Sequence, residues 1–250
     1  MSSGLHVVRA GLAVPAAPTL LFVHGSAADH TTWSIQLASR LAERFSLVAY
    51  DRRGGSVEEQ AEDAAGLVDR PTIVVGSSFG AVVILELLRR RPGLVRGAVL
   101  IEPPMAASDD ARAASADFMA EFDRLVETRG GPAAGEYFLR TVLGGAVFDR
   151  IPKAFQERSA AKWAEIRADS VALIAYRPRY AELRSIQTPV QLVGGEKSAP
   201  YFRPTLDALF ASLPDARLEI IPGAGHMLHA EAHRKFGEVV TRFADDVRLR

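Results

Sequence analysis

Five short apolar runs, each closed by a turn signal, set the rhythm of the chain: Leu20-Leu21-Phe22-Val23, Leu47-Val48-Ala49-Tyr50, Thr72-Ile73-Val74-Val75, Ala98-Val99-Leu100-Ile101 and Val190-Gln191-Leu192-Val193. A sixth, Leu218-Glu219-Ile220-Ile221, stops at Pro222-Gly223. Runs that are continuously apolar rather than alternating suit strands covered on both faces, so a buried parallel sheet is expected. Between them the apolar period lengthens to that of helices, over 33–45, 58–68, 79–91 and 230–247. In the last of these Phe236, Val239, Val240 and Phe243 recur at the spacing of a core-facing stripe. Strand and helix alternate, which predicts a doubly wound α/β fold with a mostly parallel sheet.

One stretch breaks the alternation. Residues 105–186 are helical in character, rich in Ala, Glu and Arg, and carry Phe118, Phe122, Tyr137, Phe138, Phe155, Trp163 and Tyr176. That is too long for a simple connection. A helical cap over the carboxyl ends of the strands is expected, where open α/β sheets place their ligand crevice, with 1–104 and 187–250 forming the core. The plainer alternative is extra scaffold packed on one edge. The cap aromatics are expected to shape an apolar pocket.

Composition narrows the classes. With 30 basic and 30 acidic residues the net charge is zero, and the largest basic cluster is Arg89-Arg90-Arg91 at a helix end. No electrostatic footprint for nucleic acid or anionic lipid is present, and the triplet is placed to meet the negative end of its own helix. Cysteine is absent, which excludes a disulfide framework, a thiolate metal site and a cysteine nucleophile. The longest apolar stretches fall far short of the roughly 20 residues needed to span a bilayer. Near the amino terminus Arg9 is followed by a run broken by Pro15 and Pro18, which fits a strand entry better than a signal peptide. A cytoplasmic protein acting on a small molecule, without membrane or nucleic-acid partner, is expected.

Candidate chemistry centres on Gly76-Ser77-Ser78-Phe79-Gly80, which follows the run at 72–75 directly and opens the helical segment 79–91. This G-x-S-x-G pattern between strand and helix is a nucleophile elbow. The turn is so tight that its central residue is strained, and side chains at 76 or 80 would collide with neighbouring backbone. Ser78 is therefore the candidate nucleophile, with Ser77 in the variable slot before it. A serine hydroxyl needs a base, and His226, in the glycine-rich stretch Gly223-Ala224-Gly225-His226 after the last apolar run, is placed to supply one. His229 and His233 are taken to share a helical face; a metal site there lacks a third ligand, so a solvated pair is expected. For His6, in an early strand region, and His30, in a loop, structural roles are expected. No metal and no cofactor is expected. An acyl-transfer intermediate needs oxyanion donors. The Phe79 amide is one candidate, and His24-Gly25-Ser26 should supply the second, with Ser26 the first choice and Gly25 the next.

The segments HG at 24–25, YDRRG at 50–54, GSSFG at 76–80, LIEPP at 100–104, GGEKS at 194–198 and PGAGHM at 222–227 resemble the α/β-hydrolase family, in the family's order and over nearly the whole chain. The region around 50–54 is shorter than is common there, and the amino-terminal strands look abbreviated. The resemblance implies a Ser–acid–His triad. Many relatives carry the acid in the loop after the penultimate strand, where this chain has Ser198, which cannot bear the charge that stabilises a histidine cation. Other branches, among them haloalkane dehalogenases and zearalenone lactone hydrolases, place it after the strand following the elbow, where this chain has Glu102. Glu196 is the rival acid, and a helix-capping or arginine-pairing role is the plain alternative for Glu102.

The nucleophile type sorts the branches further. Haloalkane dehalogenases and epoxide hydrolases of this fold attack with aspartate, because water must reopen their ester; a serine would leave a stable ether. Acyl transfer remains, and the acid position makes ester or lactone hydrolysis, similar to that of the zearalenone-degrading enzymes, the expected activity. A non-hydrolytic lyase or cyclase on the same constellation, or a catalytically silent ligand-binding protein, are the alternatives.

Overall fold

All six apolar runs form strands, joined by one more at the amino-terminal edge. In this computed structural model, which describes residues 4–14, 17–176 and 180–248, they are β1 (Val7–Gly11), β2 (Thr19–Val23), β3 (Ser46–Tyr50), β4 (Thr72–Ser77), β5 (Val95–Ile101), β6 (Val190–Gly195) and β7 (Ala216–Ile221). They build a single seven-stranded sheet in the order β1-β3-β2-β4-β5-β6-β7. Every pairing is parallel except that of β1 with β3. The early strand region near His6 is thus an antiparallel edge strand, half-buried along most of its length. Pro15, read as part of the strand entry, lies outside the described residues.

The strand residues divide by parity between two layers, as a two-residue side-chain period dictates. Leu21, Val23, Val48, Tyr50, Val74, Ala98, Leu100 and Leu192 pack on one face; Leu20, Phe22, Leu47, Ala49, Ile73, Val75, Val99 and Val193 pack on the other. The first face is covered by α2 (Val57–Ala65) and α3 (Phe79–Arg90), with α1 (Ser34–Leu37) lying on the chain between β2 and β3. The second is covered mainly by α11 (His233–Arg248), whose Phe236, Val239, Val240 and Phe243 form the stripe expected from their spacing.

Two helical segments differ from the sequence pattern. The expected helix over 33–45 is broken into a 3-10 turn at His30–Trp33, the short α1, and a second 3-10 turn at Arg40–Glu43. The reason is local: Ser39 is extended, and its hydroxyl accepts from the Leu41 amide at 3.2 Å, restarting the chain where a helix would continue. The segment 230–247 is likewise two helices, α10 (Leu228–Glu231) and α11, with a break at Ala232. An additional helix, α9 (Phe202–Ser212), connects β6 to β7 and buries Phe202, Leu206 and Leu209; Pro204 stands in its first turn, where its missing N–H is not needed.

Between β5 and β6 lie α4 (Asp109–Arg129), α5 (Gly131–Leu143), α6 (Gly145–Phe148), α7 (Lys153–Ala161) and α8 (Trp163–Ala175). They share a separate apolar cluster of Phe122, Leu125, Ala134, Leu139, Phe148, Ala160 and Ile166. The aromatics expected to line a pocket are largely committed to this interior. Phe118 stacks on Tyr137 at 5.1 Å, Phe122 is fully buried, and Trp163 packs so closely over Gly131 that no side chain fits there. Phe155 is half exposed with Arg158 over its ring, and the Tyr176 hydroxyl donates to buried Glu86 at 2.8 Å. Glu86 also pairs with Arg89 and Arg90, while Arg91 pairs with Glu62, so the arginine triplet is held by carboxylates rather than by its helix end alone. Among the described residues, no helix is long and apolar enough to cross a membrane.

Burial of two histidines gives the fold a pH limit. Desolvation, reinforced by the Arg52 charge, pushes His24 down to about 3, and desolvation with the nearby His226 does the same for His229. Both are neutral in the folded chain, whereas the unfolded chain protonates them near 6.5. Their contribution is complete above that value and is lost as pH falls below it, by about 2 kcal/mol each at pH 5. Urea unfolding should show a clearly lower midpoint at pH 5 than at pH 7.5; equal midpoints would contradict buried neutral imidazoles.

Candidate active site

Ser78 sits where the parallel sheet reverses its winding, between the ends of β2 and β4, the position at which doubly wound sheets open a crevice. Its backbone is left-handed, φ 53° and ψ −125°, the only break between the last residue of β4 and the first of α3. A non-glycine residue there stores about 1–3 kcal/mol of strain and persists only if its surroundings enforce it. They do. The Ser78 amide donates to Ile101 O at 2.8 Å. A Cβ at Gly80 would fall 2.4 Å from Val23 O and 2.5 Å from His24 O, and one at Gly76 would fall 2.8 Å from Gly80 O. The rival Ser77 is buried as the final residue of β4. The Phe79 amide opens α3 and so has no acceptor within the helix.

The neighbouring strand end carries the candidate acid. Glu102 follows β5 and is also left-handed, at φ 43°, with its amide donating to Val193 O at 3.2 Å. This bend projects the carboxylate toward the loop after β7. Its Oε2 lies 2.6 Å from His226 Nδ1, and its Oε1 accepts from the Gly195 amide at 2.7 Å. Both side chains are almost wholly buried. An ionised carboxylate can only accept, so Nδ1 carries the proton and Nε2 is left with a lone pair. Phe202 lies flat against the imidazole, ring centres 4.4 Å apart and planes within 8°, fixing its orientation from the other side.

The loop after β6, which holds the rival acid Glu196, makes other contacts. A Cβ at Gly195 would lie 2.5 Å from Ala224 O and 2.6 Å from Gly225 O, so the glycine permits the histidine loop to close over β6. Glu196 turns away, accepting from the Gly223 amide at 2.7 Å in an exposed position, and the hydroxyl of half-buried Ser198 has no hydrogen-bond partner among the described residues. Of the two acids weighed from sequence, the structure brings Glu102 to the histidine. Phe202 was missed; the signal was present in the four- and three-residue spacing of Phe202, Leu206 and Leu209, masked by Pro204.

The candidate oxyanion loop follows β2. A Cβ at Gly25 would lie 3.0 Å from Ser78 Cβ and 3.1 Å from Ser77 O, so the glycine opens the space beside the Ser78 side chain. His24 Nδ1 donates to Gly25 O at 2.8 Å, and His24 Nε2 accepts from the Arg52 amide at 3.1 Å. The Ser26 hydroxyl donates to Asp169 Oδ2 at 2.7 Å, which leaves the backbone amide as what Ser26 can offer a substrate. The Arg52 guanidinium lies 4.8 Å above the Phe79 ring, tying this loop to the elbow.

The other histidines depart partly from expectation. His229 and His233 do not share a helical face: they stand on either side of the break at Ala232. Nor are they a solvated pair, since His229 is buried against Trp33 at 4.9 Å while His233 Nδ1 lies 3.3 Å from Ala230 O. His30 has the structural role expected, with its amide and Nδ1 both 2.8 Å from Asp51 Oδ1. His6 stacks obliquely on it at 4.8 Å. Among the described residues these three, His6, His30 and Asp51, are the one group whose ligand atoms gather closely enough to hold a metal ion, with Asp51 directly after β3.

Comparison with known proteins agrees with this architecture. Residues 20–239 match the model of the Alpha/beta hydrolase family. A 2-(acetamidomethylene)succinate hydrolase from Mesorhizobium japonicum is 26% identical, over 91% of this chain and 88% of its own. Among solved structures, a thermophilic esterase from Thermogutta terrifontis superposes with a TM-score of 0.76 at 21% identity, covering 97% of this chain and 93% of its own. The enol-lactonase from Burkholderia xenovorans LB400 superposes with a TM-score of 0.77 at 20% identity, covering 96% of each. At these identities the two structures speak to the fold.

Proposed function

This chain belongs to the alpha/beta hydrolase family and is a hydrolytic enzyme, and on that premise we propose that it opens an ester or lactone of a small, largely apolar substrate through an acyl-enzyme on Ser78. The observation that carries this reading is the buried His226–Glu102 pair, 2.6 Å apart, at the strand end next to the strained serine. Ser78 Oγ attacks the carbonyl carbon, and His226 Nε2 takes the hydroxyl proton. Glu102 holds the imidazole in the tautomer that can do so and faces the positive charge that forms. The tetrahedral oxyanion is met by the Phe79 amide and by an amide of the Gly25-Ser26 loop. The carbon–oxygen bond then breaks, and the alcohol leaves with the proton from Nε2. Water, deprotonated by the same nitrogen, releases the acid and restores Ser78.

The segment α4–α8 serves in this reading as the cap over the crevice, and the aromatic wall nearest the histidine comes from Phe202 and Tyr201, whose rings are 4.3 Å apart. A free small molecule in the cytoplasm is the substrate this reading implies, in keeping with a chain of zero net charge. An alkyl fluorophosphonate, which phosphonylates only an activated serine, tests it. Peptide mapping is expected to find one adduct, on Ser78. No adduct would make the chain a ligand-binding member of the family, and labelling without release of acid from any of a panel of aryl esters and macrolactones would turn the reading to non-hydrolytic chemistry.

A further inference from the structure

The loop that offers the second oxyanion donor is gripped from two sides, and one side is the helical segment between β5 and β6. From the core, Arg52 reaches two consecutive carbonyls: Nε donates to His24 O at 3.0 Å and Nη2 to Gly25 O at 3.0 Å. From α8, Asp169 accepts from the same guanidinium at Nη2 (2.8 Å) and Nη1 (3.1 Å) and also accepts the Ser26 hydroxyl at 2.7 Å, while Gln60 on α2 accepts from Nη1 as well. Arg52 and Asp169 are 5% and 7% exposed, so the fork is closed off from water. The next residue, Ala27, has a left-handed backbone, φ 59°, and its methyl group is built into the apolar cluster of α4–α8 with Phe122 and Ile166. Lys162, just ahead of α8, donates to Ala28 O at 2.8 Å and to Asp29 Oδ2 at 3.0 Å. Every residue from 26 to 29 is therefore attached to that segment.

We infer that Asp169 and Lys162 are positioning residues for the oxyanion loop, so that the second oxyanion donor is correctly aimed only while α8 is docked. The inference rests on the serine-hydrolase reading above and adds a dependence that reading does not require. A peptide N–H is oriented by the carbonyls on either side of it. Here those carbonyls are fixed by Arg52, whose own direction is set by the bidentate carboxylate of Asp169 together with the Gln60 side chain, Asp169 being the partner that bears a charge and comes from α8. The strained Ala27 keeps its conformation only while the apolar cluster surrounds its methyl group. If α8 lifts, Arg52 loses its counter-charge, Ser26 loses its anchor and Ala27 is free to relax. The hole then comes apart although the elbow and the His226–Glu102 pair are untouched. A purely structural staple would look different: its loss would lower stability while leaving turnover per folded molecule unchanged.

The test compares Asp169→Asn, Lys162→Met and Ser26→Ala with the wild type. Arg167→Ala serves as control; it removes an exposed pair with Asp123 and touches nothing in the loop. Loss of a whole oxyanion donor costs about 10²–10³ in kcat, so a misaimed one should cost about 10–100-fold, with KM changed by less than about threefold. Affinity for an alkyl trifluoromethyl ketone, which forms an oxyanion on Ser78, should fall by the same factor as kcat/KM. Amide hydrogen exchange, followed by mass spectrometry, should accelerate in peptides covering 24–29 and stay unchanged over 79–90. If Asp169→Asn does not fold, the other two variants carry the same measurements. Unchanged exchange over 24–29 in folded variants, or exchange that rises equally throughout the sheet, overturns the inference. Failure of the hydrolase reading would show separately, as a wild-type protein that neither labels at Ser78 nor turns over esters; the exchange data would still decide whether α8 holds the loop.

Discussion

Ser78→Ala is expected to lower ester turnover by a factor on the order of 10⁶ while leaving the protein folded, the loss seen when the nucleophile of such a triad is removed. The size follows from what the hydroxyl does. In the proposed mechanism it forms the covalent bond, and with it gone the oxyanion donors and the histidine act on a substrate that only water can attack. The stability should hardly move, because Ser78 is half-buried and its side-chain oxygen makes no hydrogen bond that caps α3. Single-turnover kinetics with an activated aryl ester, alongside thermal melts, give both numbers. A variant that retains turnover within about a hundredfold of the wild type would remove Ser78 from the mechanism.

The second large effect concerns the acid. Glu102→Gln should cost about 10⁴ in kcat, the loss known when a triad carboxylate becomes an amide. The structure supplies a specific reason. Two donors, the imidazole Nδ1–H and the Gly195 amide, are each matched to one carboxylate oxygen. A glutamine has one oxygen, so one donor must face an NH₂ group. Either the Gly195 loop recoils or the imidazole changes tautomer, and then Nε2 carries a proton and cannot accept one from the serine. Glu196→Gln and Ser198→Ala should change kcat by no more than a few fold, a range set by the modest worth of an exposed hydrogen bond. The reverse ranking would return the acid to the loop after β6.

The sheet was legible because parallel strands covered on both faces must be apolar throughout, and six such runs stand out as Leu20 or Val190 begins them. The edge strand β1 was less distinct because only one of its neighbours exists and none of its five residues is fully buried. Ser78 and His226 were readable from glycines that a tight turn demands. Glu102 was legible only as one of two acids, since proximity between strand ends is a property of the sheet and not of sequence distance. The misread helix at 33–45 has the correct periodicity, but periodicity does not register a side chain such as Ser39 that competes for the backbone. The aromatics of 105–186 read as pocket walls because sequence does not distinguish a helix that covers a crevice from one that must first bury its own hydrophobic face. Asp169 carried no motif at all; it becomes visible only when α8 is seen beside Ser26.

The left-handed bends at Ser78 and Glu102 lie on adjacent strands, and each is kept in place by packing around it rather than by any preference of its own residue. Such bends are springs, and what they hold is alignment. When thermal motion or a little urea loosens their surroundings, they relax before the layers of the sheet part, because release lowers the local energy while melting raises it. Turnover should therefore fade at temperatures where circular dichroism still reports an intact fold, and return on cooling.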